Sequence, residues 1–323
     1  MGFEALLGNE QLKENLTAAR RKERMSHFYL LSGPRGSGKH TLAQLIAAAM
    51  LCESKDGPCG VCRHCRKVLS GNHPDYITID DPEKKTVPVD LIRDARADIY
   101  VQPNEADKKI YMFAQSMRME SQNALLKILE EPPAHAVFLL LASSREEMLA
   151  TIRSRCVIWE MQPIAAEEGV PFLRERYPEA ERIETLLKAA GGNLGKAMEY
   201  LEGGNLLTYG DLGIRFLGKL CRNKMLEADR MLAGLPKGDF IVFLSSFSRL
   251  AQDFLLYKTG SGEENIVFLE SILQIKAFLG RMRLEQLYKI AALTLDTINM
   301  LKQNGNENLV KTCFIAEMGE LLR

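Results

Sequence analysis

Residues 27–50 constrain the fold most tightly. The apolar run His27-Phe-Tyr-Leu-Leu-Ser32 passes directly into Gly33-Pro-Arg-Gly-Ser-Gly-Lys39. A helical pattern follows, with Leu42, Leu45, Ile46, Ala49 and Met50 on one face. A buried strand, G-x-x-x-x-G-K and a helix, in that order, form the context in which a phosphate-binding loop (P-loop) is expected. Glycines let backbone amides turn inward around phosphate oxygens, and the helix N-terminus adds partial positive charge. Gly33, Gly36, Gly38 and Lys39 would then cradle ATP or ADP, with Lys39 reaching the outer phosphates. The alternative is a glycine-rich turn without a ligand. After the lysine, a Ser or Thr hydroxyl should hold magnesium, and here stands His40. Thr41 is one residue further, about 100° around the helix axis.

A second stretch, residues 108–159, reads as strand, helix, strand and exposed loop. Its apolar runs are Ile110–Ala114 and Val137–Ala142. Between them Leu125, Ile128 and Leu129 give a helical stripe, which must stop at Pro132-Pro133. The loop is Thr151-Ile-Arg-Ser-Arg-Cys156. In an ATPase with a P-loop, the first of these strands should end in an acid that holds magnesium. Here it ends in Phe113-Ala-Gln115, and no Asp or Glu occurs from Lys108 through Met119. Nucleotide binding is compatible with this sequence; hydrolysis lacks both usual magnesium anchors.

Cys52-x6-Cys59-Gly-Val-Cys62-Arg-His-Cys65 places four cysteines within fourteen residues. That spacing suits a tetrahedral thiolate site for a structural zinc ion. Gly57, Pro58 and Gly60 supply tight turns. A disulfide or an iron–sulfur cluster would use the same residues, but a reducing compartment disfavours the first. His64 is a spare ligand. Cys156, Cys221 and Cys313 are isolated and read as core residues.

Lysines plus arginines number 42, as do aspartates plus glutamates. A strong autonomous nucleic-acid binder usually shows a basic excess. The run Arg20-Arg-Lys-Glu-Arg24 reads as a solvated helix face, with a phosphate patch as the alternative. No run approaches the ~20 apolar residues of a membrane span and no signal-like segment stands at the start, so a cytoplasmic protein is expected. Tyr76–Ile79 is a short strand, Asp80–Lys85 a polar turn and Val89–Ile99 a helix. Beyond Gly203-Gly204 the pattern is helical throughout. Phe240, Phe243, Leu244, Phe247, Leu250, Ala251 and Phe254 form one stripe, and helices are expected around 264–280, 284–303 and 307–322. Gly260-Ser-Gly262 and Asn304-Gly-Asn306 mark turns between them.

Taken together, Leu7-Gly-Asn-Glu10, His27–Lys39, the four-cysteine module, Asn123–Pro133 and Thr151–Cys156 resemble bacterial clamp-loader subunits of the AAA+ class. The resemblance covers roughly the first 200 residues. It implies an α/β P-loop domain with a parallel sheet and an inserted zinc module (1–163), a helical lid (164–205) and an all-helical collar used for oligomerisation (206–323). It also implies an arginine-finger role in trans for Arg155, a sensor near Ser143, and a sensor-2 segment, Gly191–Lys196, with Lys196 where an arginine is usual. The implied partners are other loader subunits (gamma/tau and delta) in a hetero-pentamer, and through them a sliding clamp and primed DNA. ATP-hydrolysing gamma/tau subunits keep the acids and the Ser/Thr that this chain lacks, so the likeness is to a non-hydrolysing, stator-like member. The rivals are a motor ATPase with an unusual magnesium shell and an independent zinc-dependent nucleic-acid binder. The neutral charge and the missing base-stacking platform speak against the latter.

Overall fold

The computed structural model describes residues 2–84, 86–180, 182–203, 205–260, 266–303 and 305–322. Lys85, Gly204, residues 261–265 and Asn304 lie outside them, and with them parts of the turns and the boundary expected there. Two compact units are present: 1–172 with 192–196, and 173–191 with 197–323.

The first unit is built on a five-stranded parallel sheet. Its strands are β1 (Phe28–Ser32), β2 (Tyr76–Ile79), β4 (Lys109–Phe113), β6 (Ala136–Ala142) and β7 (Val157–Glu160), in the spatial order β2-β4-β6-β1-β7. A two-stranded parallel pair joins β3 (Thr86–Val87) to β5 (Ser116–Met117). β4 and β6 are buried along their whole length, as a strand covered on both faces must be. Alternation sorts their side chains. Leu31, Ile110, Met112, Val137, Leu139 and Leu141 pack with α1 (Glu10–Arg21), α2 (Lys39–Leu51) and α3 (Arg63–Leu69). Leu30, Tyr111, Phe113, Phe138 and Leu140 pack with α4 (Val89–Ile99), α5 (Met119–Glu130) and α6 (Ala150–Arg153). The expected stripe Leu125, Ile128 and Leu129 is buried, and α5 ends just before Pro132-Pro133.

The helices α7 (Ala166–Arg176), α8 (Ile183–Ala189), α9 (Leu194–Gly203), α10 (Asn205–Leu220), α11 (Met225–Ala233), α12 (Asp239–Thr259), α13 (Leu269–Gln274), α14 (Lys276–Arg281), α15 (Leu284–Lys302) and α16 (Glu307–Leu321) complete the chain. The second unit is helical. Its core is aromatic: the Phe216 ring lies 6.0 Å from each of Phe243, Phe247 and Phe314. By length and composition α12 could cross a membrane. Its phenylalanine stripe is instead buried in this core. Cys313, expected inside, is exposed. It falls between the inward positions Val310 and Phe314 of α16 and faces out. Cys156 and Cys221 are half-buried.

Candidate nucleotide and metal sites

The loop after β1 has the backbone its glycines allow. Gly36 and Gly38 sit at φ 83° and 92°, a region costly for residues bearing a Cβ. Lys39 opens α2 and folds its ammonium back onto the loop, donating to the carbonyl oxygens of Gly33 at 2.5 Å and Pro34 at 2.8 Å. Burial pushes its pKa down, while the Glu147 carboxylate pulls it up. Ser37 Oγ is buried without a hydrogen-bond partner. Left-handed glycines, an orphaned hydroxyl and an ammonium at the start of a helix suit a phosphate group. His40 and Thr41 are exposed. Although the residue is exposed, partial desolvation of the His40 ring, then the Lys39 charge, lowers its pKa, and Asp80 acts against both.

At the end of β4 the side chain of Gln115 is already engaged. Its Oε1 accepts from Asp81 N at 3.0 Å, and its Nε2 donates to the carbonyls of Asp81 (2.8 Å) and Lys84 (3.0 Å). The position that would carry an acid thus fastens a neighbouring turn.

The four cysteines converge. Cys52 caps the C-terminus of α2 and Cys62 the N-terminus of α3. The four Sγ atoms lie within 4.8 Å of one another, with Cys59–Cys65 and Cys62–Cys52 both at 4.0 Å. Tetrahedral zinc with bonds of about 2.3 Å implies S···S separations near ~3.8 Å, so the set fits a metal ion with little adjustment. All four thiols are free. Backbone N–H groups of Cys62 and Val61 hold the Cys59 thiol down to about 6, whereas burial raises Cys52 and Cys65. Gly57 packs so tightly that a Cβ would stand 2.5 Å from Cys52 Cβ. His64 is no fifth ligand: it is buried with Nδ1 2.8 Å from His73 Nε2. The basic run also has a use that neither sequence reading anticipated. Arg20 donates to the carbonyls of Cys52 and Ser54, both at 2.9 Å, Arg21 pairs with Asp56 and Glu23 with Lys55. The end of α1 therefore grips the cysteine loop.

Between α6 and β7, Arg155 is exposed, with Nη1 donating to Thr151 O at 2.9 Å. Arg153 is half-buried and its Nε is enclosed without a partner. Of the two arginines, Arg155 is the more exposed.

Residues 8–165 match the family model described as DNA polymerase III, delta subunit. The chain is 30% identical to DNA polymerase III subunit tau of Bacillus subtilis, over 82% of this chain and 52% of that protein. It is 36% identical to subunit delta' of Pseudomonas aeruginosa, over 52% of this chain and 53% of that protein. The chain thus spans about half the length of these relatives. Among solved structures it is similar to a gamma subunit-related protein from Thermotoga maritima, 20% identical, TM-score 0.43, covering 95% of this chain and 99% of that one. The chain belongs to the clamp-loader family of DNA polymerase III.

The clamp-loader motifs can now be placed. Asn9 of the Leu7–Glu10 motif accepts from Gln162 N at 2.8 Å. Ser143 is exposed just past β6, and its N–H donates to Glu147 Oε2 at 3.1 Å. The segment 192–196 docks on the phosphate loop. Gly195 N donates to Gly36 O at 3.0 Å and Asn193 Nδ2 to Arg35 O at 2.9 Å. A Cβ on Gly195 would stand 2.4 Å from Gly36 Cα. In this segment Asn193 and Gly195 make the contacts to the loop, while Lys196 N donates to Asn193 Oδ1. The sequence reading had named this segment, Gly191–Lys196, but it missed Glu147 and Asp80 as acids near the loop. A hint was present: Ser143-Ser-Arg-Glu-Glu147 is a dense polar run directly after a fully buried strand.

Proposed function

We propose that the chain is the non-hydrolysing, stator-like subunit of a bacterial clamp loader, the position of delta-prime. It would assemble with gamma/tau and delta subunits in a hetero-pentamer that loads the sliding clamp onto primed DNA in the cytoplasm. Its parts are the α/β domain at 1–163, a lid at 164–205 and a collar at 206–323, with one structural zinc ion on Cys52, Cys59, Cys62 and Cys65. The supporting observation is an asymmetry of chemistry. The chain's own nucleotide site has His40 and an occupied Gln115 where magnesium anchors belong, yet it presents Arg155 outward. A guanidinium offered in trans can stabilise the charge that develops on a neighbour's γ-phosphate. The loop would retain ATP or ADP through Gly33, Gly36, Gly38, Lys39 and Thr41 without turnover, with Lys196 at the sensor position.

The test is Arg155→Ala in the reconstituted complex. Assembly should persist, and ATP hydrolysis and clamp loading should fall several-fold. Arginine fingers contribute roughly 10³–10⁵ in rate at the site they serve, and only one site of the ring is touched. Arg153→Ala serves as a control for changes to the loop itself. Loading at the wild-type rate by the Arg155→Ala complex would reduce the chain to a scaffold. The motor reading draws on the tau relative, which matches 82% of the chain; Lys39-dependent ATP turnover by the isolated chain would establish it.

A further inference from the structure

Glu147 stands where the ends of three adjacent strands meet. β1 and β6 are neighbours, Ser32 is level with Ala142, and Gly33 N donates to Ala142 O at 3.2 Å. The first residue beyond β6, Ser143, therefore lies beside the first residue of the phosphate loop. Ser143 N donates to Glu147 Oε2 at 3.1 Å, and the same oxygen accepts from Ser116 Oγ at 3.1 Å. Ser116 follows β4, on the other side of β6. One carboxylate oxygen thus spans the ends of β4 and β6, one strand from the carbonyl that holds Lys39. The turn behind it is braced by Gln122, which is buried. Gln122 Nε2 donates to Glu147 O (2.8 Å) and Met117 O (2.9 Å), and its Oε1 accepts from Leu149 N (2.8 Å). Glu147 Oε1 accepts no hydrogen bond among the described residues. The carboxylate is held in place with one oxygen to spare.

The Lys39 ammonium offsets part of the charge of this anion beside the phosphate loop, and a divalent cation between carboxylate and phosphate would remove the remaining repulsion. Hard divalent cations take carboxylate and phosphate oxygens together, and magnesium commonly binds through one or two carboxylates plus a nucleotide. The usual anchors are replaced by His40 and by Gln115, which is engaged elsewhere. We infer that Glu147, supplied by the turn after β6, is the carboxylate that meets the divalent cation of a nucleotide polyphosphate at this loop, and that it makes nucleotide binding cation-dependent. The inference rests on the phosphate-binding reading of the loop. It concerns binding alone, since no general base is added at Gln115.

The test uses the full chain, a fluorescent N-methylanthraniloyl-ADP and magnesium chloride. Buffers are depleted of metal by resin rather than chelator, so the cysteine site keeps its ion. Wild type should bind roughly tenfold tighter with millimolar magnesium than without, the size expected for one screened carboxylate–phosphate repulsion turned into a bridge. Glu147→Gln should bind roughly tenfold tighter than wild type without magnesium and gain less than about twofold on its addition. Glu146→Gln, which alters the adjacent exposed acid, should behave as wild type. If Glu147→Gln does not fold, Ser116→Ala, which removes only one anchor of the carboxylate, should lower the magnesium effect several-fold. Equal magnesium dependence in wild type and Glu147→Gln, or in wild type and Ser116→Ala, overturns the inference. So does the absence of analogue binding by wild type with magnesium present, an outcome that leaves the Arg155 role in the complex intact.

Discussion

The phosphate loop and the cysteine site are served by opposite ends of one helix. Lys39 opens α2, and Cys52 follows its last residue; thirteen residues at 1.5 Å each put the two ends about 20 Å apart. At the C-terminal end the four candidate ligands come from one short segment, with thiols grouped as a metal shell would need them. At the N-terminal end the groups come from four separate segments, around residues 33–39, 115–116, 143–147 and 192–196, and they mostly engage one another. The cysteine end is built to hold α2 in place, and the loop end to respond to what it meets. A difference in stability should therefore separate the two.

Removing the metal should have the largest effect. Cys62 is both one of the four proposed zinc ligands and the N-cap of α3, its side chain accepting from Cys65 N. Serine is a good N-cap, so Cys62→Ser removes the thiolate while keeping the cap. Structural zinc couples binding to folding. We expect a loss on the order of 3–5 kcal/mol, read as a Tm lower by about 10 °C, with less than one equivalent of zinc by elemental analysis. Unchanged melting with no metal bound would show that the cysteine end does not hold the helix.

Next is Asp75, buried at the residue just before β2. Its carboxylate accepts from Asn104 N (2.6 Å), Asn104 Nδ2 (3.1 Å), Glu105 N (2.8 Å) and Ala106 N (3.1 Å), fixing the segment that leads into β4. Burial opposes its ionisation, but these donors outweigh it, and its pKa lies below the ordinary value. A depressed carboxylate pKa gives stability that is full above the unfolded value, about 3.9, and is lost as pH falls through the folded value. Asp75→Asn should cost about 2–3 kcal/mol near neutrality. In urea titrations the gap should begin to narrow below about pH 4 and go on narrowing as pH falls through the depressed folded value. A gap that does not narrow at all on acidification below about pH 4 would point to shape rather than charge.

The same contrast explains what could be read in advance. The cysteine set and the buried strands were legible because their signals are contiguous: a spacing within fourteen residues, or an unbroken apolar run. The sheet order, the Gln115 bonds to Asp81 and Lys84, and the approach of Gly195 to Gly36 join residues 27 to 159 positions apart, and local pattern carries no register between them. His64 illustrates the limit. Its place between two cysteines suggested a ligand, while its actual partner, His73, lies nine residues away. The basic run 20–24 was legible as charge, but its partners at 52–56 were not.

At the loop end, Gly195→Ala should have a moderate effect. The added methyl would meet Gly36 Cα at 2.4 Å and Gly36 O at 2.9 Å. Backbone cannot swing aside as a side chain can, so about 2 kcal/mol is expected by denaturant titration. Weaker binding of the ADP analogue should accompany it. A neutral result would mean that the 192–196 segment rests on the loop without shaping it.

The smallest effect is predicted for Lys39→Met, and its smallness is the sharpest claim in the contrast. Burial lowers the Lys39 pKa, so folding disfavours its charged form. For a base of this kind the cost is present below the folded pKa and relieved as pH rises through it. Methionine keeps the length of the chain and removes that cost. It also gives up the bonds to Gly33 O and Pro34 O, carbonyls at a half-exposed loop that water can reach. The two changes oppose each other, and the net should lie within about 0.5 kcal/mol at pH 7, while binding of the analogue is lost. A destabilisation above about 2 kcal/mol, as large as that for a buried hydrogen-bonded group, would make Lys39 a structural bolt. The loop end would then be as rigidly built as the cysteine end, and the distinction between the two ends of α2 would fail.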